Sequence, residues 1–309
     1  MGESVDRRSM LAAGVTVLFW ASAFVAIRDA GEAFSPGALA FGRLLAGSVV
    51  LVGVLLVRRE GWPPRAAWPG ILASGVLWFG AYMVALNWGE REVDAGTAAM
   101  VVNVGPVLIA LLSGWLLREG FSRRVLAGIA VSFAGTVVVG VSTSGGGGAS
   151  VLGVVLCVAA AATYAVGVTA QKPALRHASA VQVTTFGCLV GLLACAPFAG
   201  QWVTEVGAAP AQATLDVVYL GVFPTALAFV TWAYALARTT AARMGATTYA
   251  VPAIVVLLSW LLLAEVPAWL TLAGGVLCLA GVAISRVRPR GPADSAGDRS
   301  GSIAPVPAS

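Results

Sequence analysis

Residues 95–129 read AGTAAMVVNVGPVLIALLSGWLLREGFSRRVLAGI, and residues 241–276 read AARMGATTYAVPAIVVLLSWLLLAEVPAWLTLAGGV. The first stretch is apolar from Gly96 to Leu117, carries Pro106 near its middle and reaches a carboxylate at Glu119. The second echoes it 146 positions later, where Pro252 stands for Pro106 and Glu265 for Glu119. The same offset pairs Ala95 with Ala241, Ser113 with Ser259, Leu126 with Leu272, Gly128 with Gly274 and Gly135 with Gly281. Matches at one offset over so long a window mark two halves of a duplicated chain.

Composition sets the class. Of 309 residues, 59% are hydrophobic and 11% charged, against about 25% charged in soluble domains. No soluble packing buries that much apolar surface, so the chain is an integral membrane protein. The net charge of +5 does not point to nucleic acid, because the basic residues sit between apolar runs. Cys157, Cys188, Cys195 and Cys278 all lie inside apolar runs and read as small core residues. The single histidine, His177, is too little for a metal site, and no cofactor is expected.

A helix needs about 20 apolar residues to cross roughly 30 Å of hydrocarbon. Ten such segments can be read, at about 10–27, 36–57, 68–88, 95–117, 124–141, 150–171, 178–199, 213–236, 243–263 and 268–285. Runs this long exclude barrel strands, so the expected fold is all-α. The first run lacks a convincing cleavage site and reads as a retained helix. With the N-terminus inside, the cytoplasmic segments hold 16 Lys and Arg, the outer loops hold Arg28 and Arg91, and Arg43 makes up the 19. That bias places both termini in the cytoplasm. Residues 1–9 are expected to form a short cytoplasmic leader, 10–141 the first five-helix repeat, 142–149 a Gly/Ser linker, 150–286 the second repeat and 287–309 a disordered cytoplasmic tail. The linker is no phosphate loop, since no Gly-Lys-Ser/Thr follows it. Five spans per repeat is odd, so the repeats should run in opposite senses, with a substrate site between them near the midplane.

At this point the chain resembles the EamA-type members of the drug/metabolite transporter superfamily. The resemblance covers about residues 10–286 and rests on the two five-span halves and the Pro-x12-Glu signature of Pro106–Glu119 and Pro252–Glu265. Trp20-Ala-Ser-Ala-Phe24 is similar to the family's Trp-Gly-x-x-Phe, and Phe41-Gly-Arg43 to its Arg-Phe region. Ala85-Leu86 and Ala235-Leu236 match its Ala-Leu, which implies about four extra residues in an outer loop around 90–94. The resemblance implies a carrier that exports a small polar metabolite, such as an amino acid. The partners expected are that small molecule and the lipid bilayer, with a homodimer as a further candidate and no nucleic acid.

Arg43 is the only formal charge well inside an expected span, roughly 12 Å past Ser35 at about 1.5 Å per residue. Three readings stand: a cavity-facing fork for a substrate carboxylate or phosphate, a structural Arg tied to backbone carbonyls, or an Arg snorkelling to the outer face. Pro106 and Pro252 should kink their helices and are hinge candidates. Asn103, and Tyr249 at the matching position, could line a cavity or bond between helices. Trp20, Phe24, Trp78, Tyr82, Tyr164 and Trp232 are candidate apolar walls, against a background of packing and interface roles. Glu119 and Glu265 read as caps or ion-pair partners at span ends, and Glu90, Glu92 and Asp94 as a solvated patch. Gly135, Gly140, Gly274 and Gly281 read as small faces for close helix packing. An intramembrane enzyme would need a nucleophile–base pair or a metal cluster at depth, which the spans do not offer. An exporter of drugs or hydrophobic compounds, and a non-transporting scaffold or sensor, remain as alternatives.

Overall fold

The computed structural model describes residues 7–116, 150–248, 250–264 and 268–286, with isolated positions between 127 and 138. Among these residues the chain is helical, with no strand. The helices are α1 (Arg7–Ala30), α2 (Pro36–Val57), α3 (Arg65–Glu92), α4 (Ala95–Leu116), α5 (Val151–Ala174) and α6 (Ala180–Ala194). Then come α7 (Ala199–Ala208), α8 (Ala211–Arg238), α9 (Ala241–Thr247), α10 (Ala250–Leu263) and α11 (Trp269–Arg286). Six of them, α1 to α5 and α8, are long and apolar enough to cross a membrane, and α6 with the bent segment after it makes a seventh. Leu11, Val49, Leu56, Trp115 and Leu193 point outward and exposed, as lipid-facing positions should.

Several expected spans take a different form. The segment 124–141, the linker 142–149 and the tail from 287 lie largely or wholly outside the described residues, as do Glu119, Glu265, Gly140 and Tyr249. The expected span 178–199 bends by 54° after Ala194, where Pro197 sits in the short turn Ala196–Phe198 that leads into α7. The expected span 243–263 is two pieces, α9 and α10.

Helix starts follow local chemistry. Ser150 accepts a bond from the Gly153 N–H, and Ser179 with Gln182 forms a reciprocal capping box. Asp94 caps α4 through the Thr97 N–H at 2.9 Å. Residues 90–94 are therefore no lengthened solvated loop. α3 runs to Glu92, Glu90 is 1% exposed, and α4 begins at Ala95. The polar run ended the hydropathy signal, but the helix continues because α5 packs against it: a Cβ at Gly89 would meet Cys157 Sγ at 2.7 Å.

The duplication is visible in the backbone. α3 carries a π-helical stretch at Gly75–Ala81, and α8 carries one of the same length at Gly221–Leu227, 146 positions on. This register pairs Ala85-Leu86 with Thr231-Trp232, not with Ala235-Leu236, and removes the four-residue surplus that the sequence comparison implied. Both stretches dock across the repeats. A Cβ at Gly75 would stand 2.6 Å from Val190 and 2.9 Å from the Gly187 carbonyl of α6. A Cβ at Gly221 would stand 2.5 Å from Ala46 and 2.7 Å from the Arg43 carbonyl of α2. α1 packs on α8 in the same way that α5 packs on α3. Each half thus closes the core of the other, and the space between them is where a site can form.

Two cations sit at matching helix ends. Arg28 of α1 donates from Nη1 to the Glu90 carbonyl at 2.6 Å. Lys172, 144 positions on in α5, donates from Nζ to the Leu236 carbonyl and to the Thr239 carbonyl at 2.6 Å. Each fastens the C-terminal end of a long helix, α3 in one half and α8 in the other, where carbonyls lack helical donors and favour positive charge.

Candidate functional site

A cavity lies between the two halves. Its wall is mostly apolar. α1 contributes Trp20, Phe24 and Ile27, and α3 contributes Trp78, Tyr82 and Leu86. Tyr164 of α5 and Phe229 of α8 complete a layer of rings in which Trp20 lies 5.9 Å from Trp78 and 6.4 Å from Tyr164, and Trp78 lies 4.7 Å from Phe229. Such offset and edge-on pairs rigidify a wall without polar atoms. Trp232 does not reach the cavity. It stacks 4.8 Å behind Trp20 and is buried, so it supports the wall without forming it.

Among the described residues Arg43 is the only charged one in that wall, and it is 3% exposed. Its Nε and Nη2 both donate to Thr225 Oγ1 at 3.2 Å. Thr225 lies in the π stretch of α8, which also presents the Pro224 carbonyl to the Trp20 indole N–H at 3.2 Å. The guanidinium is thus anchored along one edge by a neutral hydroxyl. Among the described residues no other group accepts from it, and a buried Arg carries five N–H donors. The acceptor is a side-chain hydroxyl and not a backbone carbonyl. The expected isolation of Arg43 among buried charges does not hold, however. Glu90 is also buried, one turn beyond Leu86 of the cavity wall.

α4 breaks where the cavity needs it. Its first half ends at Val102, Asn103 leaves the helix at φ −71°, ψ 3°, and helix resumes at Gly105 with Pro106. Proline offers no N–H to the Val102 carbonyl, so the break precedes it. Gly105 is required by Tyr164, whose ring would stand 2.5 Å from an added Cβ. Pro106 lines the cavity. The chain breaks again between α9 and α10, just before Pro252, and there Val251 and Thr248 line the wall while Pro252 itself does not. The two breaks meet: Asn103 Nδ2 donates to the Thr248 carbonyl at 3.3 Å. Asn103 therefore does both things that its position allowed, bonding between helices and lining the cavity.

Sequence reasoning missed Ile27, Leu86, Phe229, Thr225 and Thr248. Each is an ordinary apolar or hydroxyl residue within an apolar run, and no local signal separates it from packing. Ile27 is 1% exposed and lines both the cavity and a recess at the ends of α1 and α3 shared with Arg28 and Glu90. Ile27 is the residue that the two linings share.

The EamA-like transporter family model matches residues 7–141 and again 151–287. A protein of Streptantibioticus cattleyicolor described as a "Probable terminal-alkyne amino-acid exporter" is 37% identical over 281 residues, covering 90% of this chain and 93% of its own length. The "Uncharacterized transporter YdfC" of Bacillus subtilis is 30% identical, over 90% and 91%. A "Probable amino-acid metabolite efflux pump" of Salmonella typhimurium is 26% identical, over 91% and 95%. A solved crystal structure at 23% identity superposes with a TM-score of 0.64 over 90% of this chain and 96% of that one, which shows a shared fold. With one family model matching each half of a duplicated helical membrane protein, the chain belongs to the EamA-like transporter family.

Proposed function

We propose that the protein is a cell-membrane carrier that exports a small amino acid with an uncharged, apolar side chain. The observation that carries the reading is a single forked cation, Arg43, in a ring-walled cavity between the halves. A carboxylate can take the part of the fork that Thr225 leaves, while Trp20, Phe24, Tyr82 and Tyr164 hold an apolar side chain out of water. The names of the Streptantibioticus and Salmonella relatives support an amino-acid cargo and the outward direction.

In this reading ten spans form two inverted repeats with both termini in the cytoplasm, supported by the 16-to-2 bias of basic residues. The Arg28 fastening then faces outside and the Lys172 fastening inside. Access alternates as the halves rock about the cavity, with Ile27 and the Arg28–Glu90 bond as the outer barrier. Topology has a direct check in Glu32 and Arg176, which are exposed and 144 positions apart. Cysteines placed singly there, in a chain freed of its own cysteines, should react with an impermeant maleimide from outside and inside respectively. Reaction of both from one side would sink the inverted arrangement.

The transport test is efflux of L-propargylglycine, a terminal-alkyne amino acid, from loaded cells. Losing a charge-assisted contact costs about 1.5–3 kcal/mol, or roughly ten- to a hundredfold in affinity. Arg43→Ala and Arg43→Lys should both be impaired at normal membrane expression, since an ammonium cannot bond bidentately. The ring-rich wall favours a second reading, export of uncharged apolar compounds. Wild-type export by both variants would favour it.

A further inference from the structure

We infer that Asn103 and the broken end of α4 form a subsite for the substrate's ammonium group, so that the cavity recognises a zwitterion and not merely an anion. The inference deepens the amino-acid reading above and rests on it. The first observation is an orphaned acceptor. Asn103 is 5% exposed and lines the cavity, its Nδ2 is turned to the Thr248 carbonyl, and its Oδ1 accepts nothing among the described residues. The orientation of the amide is not in question, because only its N–H₂ can face a carbonyl oxygen. A buried acceptor without a donor costs roughly 1–3 kcal/mol, and a donor that comes and goes with the substrate would relieve it.

The second observation is the helix end itself. The half-helix Ala95–Val102 stops at Asn103, and Val102 lines the cavity. Pro106 supplies no N–H to the Val102 carbonyl. The C-terminal end of a helix carries partial negative charge, and in a broken membrane helix such ends meet cationic groups. A third feature fits. Among the described residues no carboxylate lines the cavity, so an ammonium there is held by dipoles and ring faces, and the layer around Trp20 and Tyr82 supplies the faces. The expected class of substrate is therefore an α-amino acid with a free primary amine and an uncharged side chain. Arg43 takes its carboxylate and Asn103 Oδ1 accepts from its amine.

The test measures binding to the full chain in lipid nanodiscs with two probes, L-propargylglycine and its deaminated counterpart 4-pentynoate. Wild type should bind the amino acid about tenfold or more tightly than the acid. Asn103→Leu, similar in shape but without an acceptor, should weaken L-propargylglycine alone and bring the ratio near one. Asn103→Asp loses the same bond to Thr248 but restores an acceptor, and should restore the preference. A merely structural Asn103 would weaken both probes together in both variants, and that result overturns the inference. Equal binding of the two probes by wild type overturns it too, while leaving the Arg43 site intact. Binding of neither probe by wild type overturns the amino-acid reading and this subsite with it.

Discussion

The two π stretches invite comparison. Gly75–Ala81 and Gly221–Leu227 share length, register and a docking glycine, and each lies against the second helix of the other half. Their side chains have parted. Where the first has Trp78 and Phe79, the second has Pro224 and Thr225. The positions they meet have parted in the opposite sense. Arg43 lies against Thr225, whereas its counterpart 144 positions on is Gly187, where an added Cβ would stand 3.1 Å from the Phe79 ring. A long side chain on a small one in one half is answered by no side chain on a large one in the other. Volume is conserved while chemistry is not, so one contact is a polar anchor and its twin an apolar plug. Duplication preserved the packing of the backbone and left the side chains free to specialise, which is how a near-symmetric scaffold holds an asymmetric substrate.

The sharpest way to break this comparison is through the docking glycines. Gly221→Ala puts a methyl 2.5 Å from Ala46 and 2.7 Å from the Arg43 carbonyl, an overpacking cost of about 1–3 kcal/mol. Gly75→Ala faces Val190 at 2.6 Å and the Gly187 carbonyl at 2.9 Å. Both should lower the thermal midpoint of the detergent-purified protein by similar amounts. If one were harmless, the two stretches would not be equivalent.

A smaller effect is expected from exchanging the contact itself. Arg43→Gly together with Thr225→Phe rebuilds the apolar twin in place of the anchor. Fluorescence-detected size exclusion should show folded protein, and L-propargylglycine efflux should fall roughly ten- to a hundredfold. Collapse of the folded peak would mean that the volumes are not interchangeable. Removing only the anchor's acceptor, Thr225→Val, should weaken apparent affinity by up to about tenfold, with most of it regained in Thr225→Ser, which keeps the hydroxyl. Loss in Thr225→Ser with little in Thr225→Val would instead point to packing of the Thr225 methyl, which would lie 3.0 Å from a Cβ added at Gly47.

The smallest effects belong to the two fastened helix ends. Cations at helix C-termini contribute about 0.3–1 kcal/mol, up to ~2 when partly buried. A single cysteine at Ala23, in the cavity wall, reports access to a membrane-impermeant maleimide. Arg28→Gln should raise labelling from outside and Lys172→Gln labelling from inside, each severalfold. The same direction in both would show that the matched fastenings do not guard opposite faces.

Much of this was legible in the chain. The proline at 106 announced the break of α4, because a missing N–H is a local fact. Arg43, Trp20, Phe24, Trp78, Tyr82, Tyr164 and Asn103 stood out as costly or amphipathic residues in apolar runs, and all of them line one cavity. Glu90 was misread because hydropathy sums composition along the chain, and Asn87 to Glu92 looks like a loop until α5 is set against it. Trp232 was misplaced because a tryptophan in a wall and one behind it read alike.

Hydropathy, the offset repeats and the charge bias are properties of one strand of residues, and they determined that the chain is a duplicated bundle of helices for a membrane. Backbone hydrogen bonding in lipid leaves little other choice. Only the tertiary structure decided which residues face the gap between the halves, that Thr225 rather than a carbonyl holds Arg43, and that Asn103 keeps an acceptor unused. Those outcomes depend on how side chains from residues more than a hundred positions apart fill or fail to fill a shared space, and no pattern along the sequence carries that information.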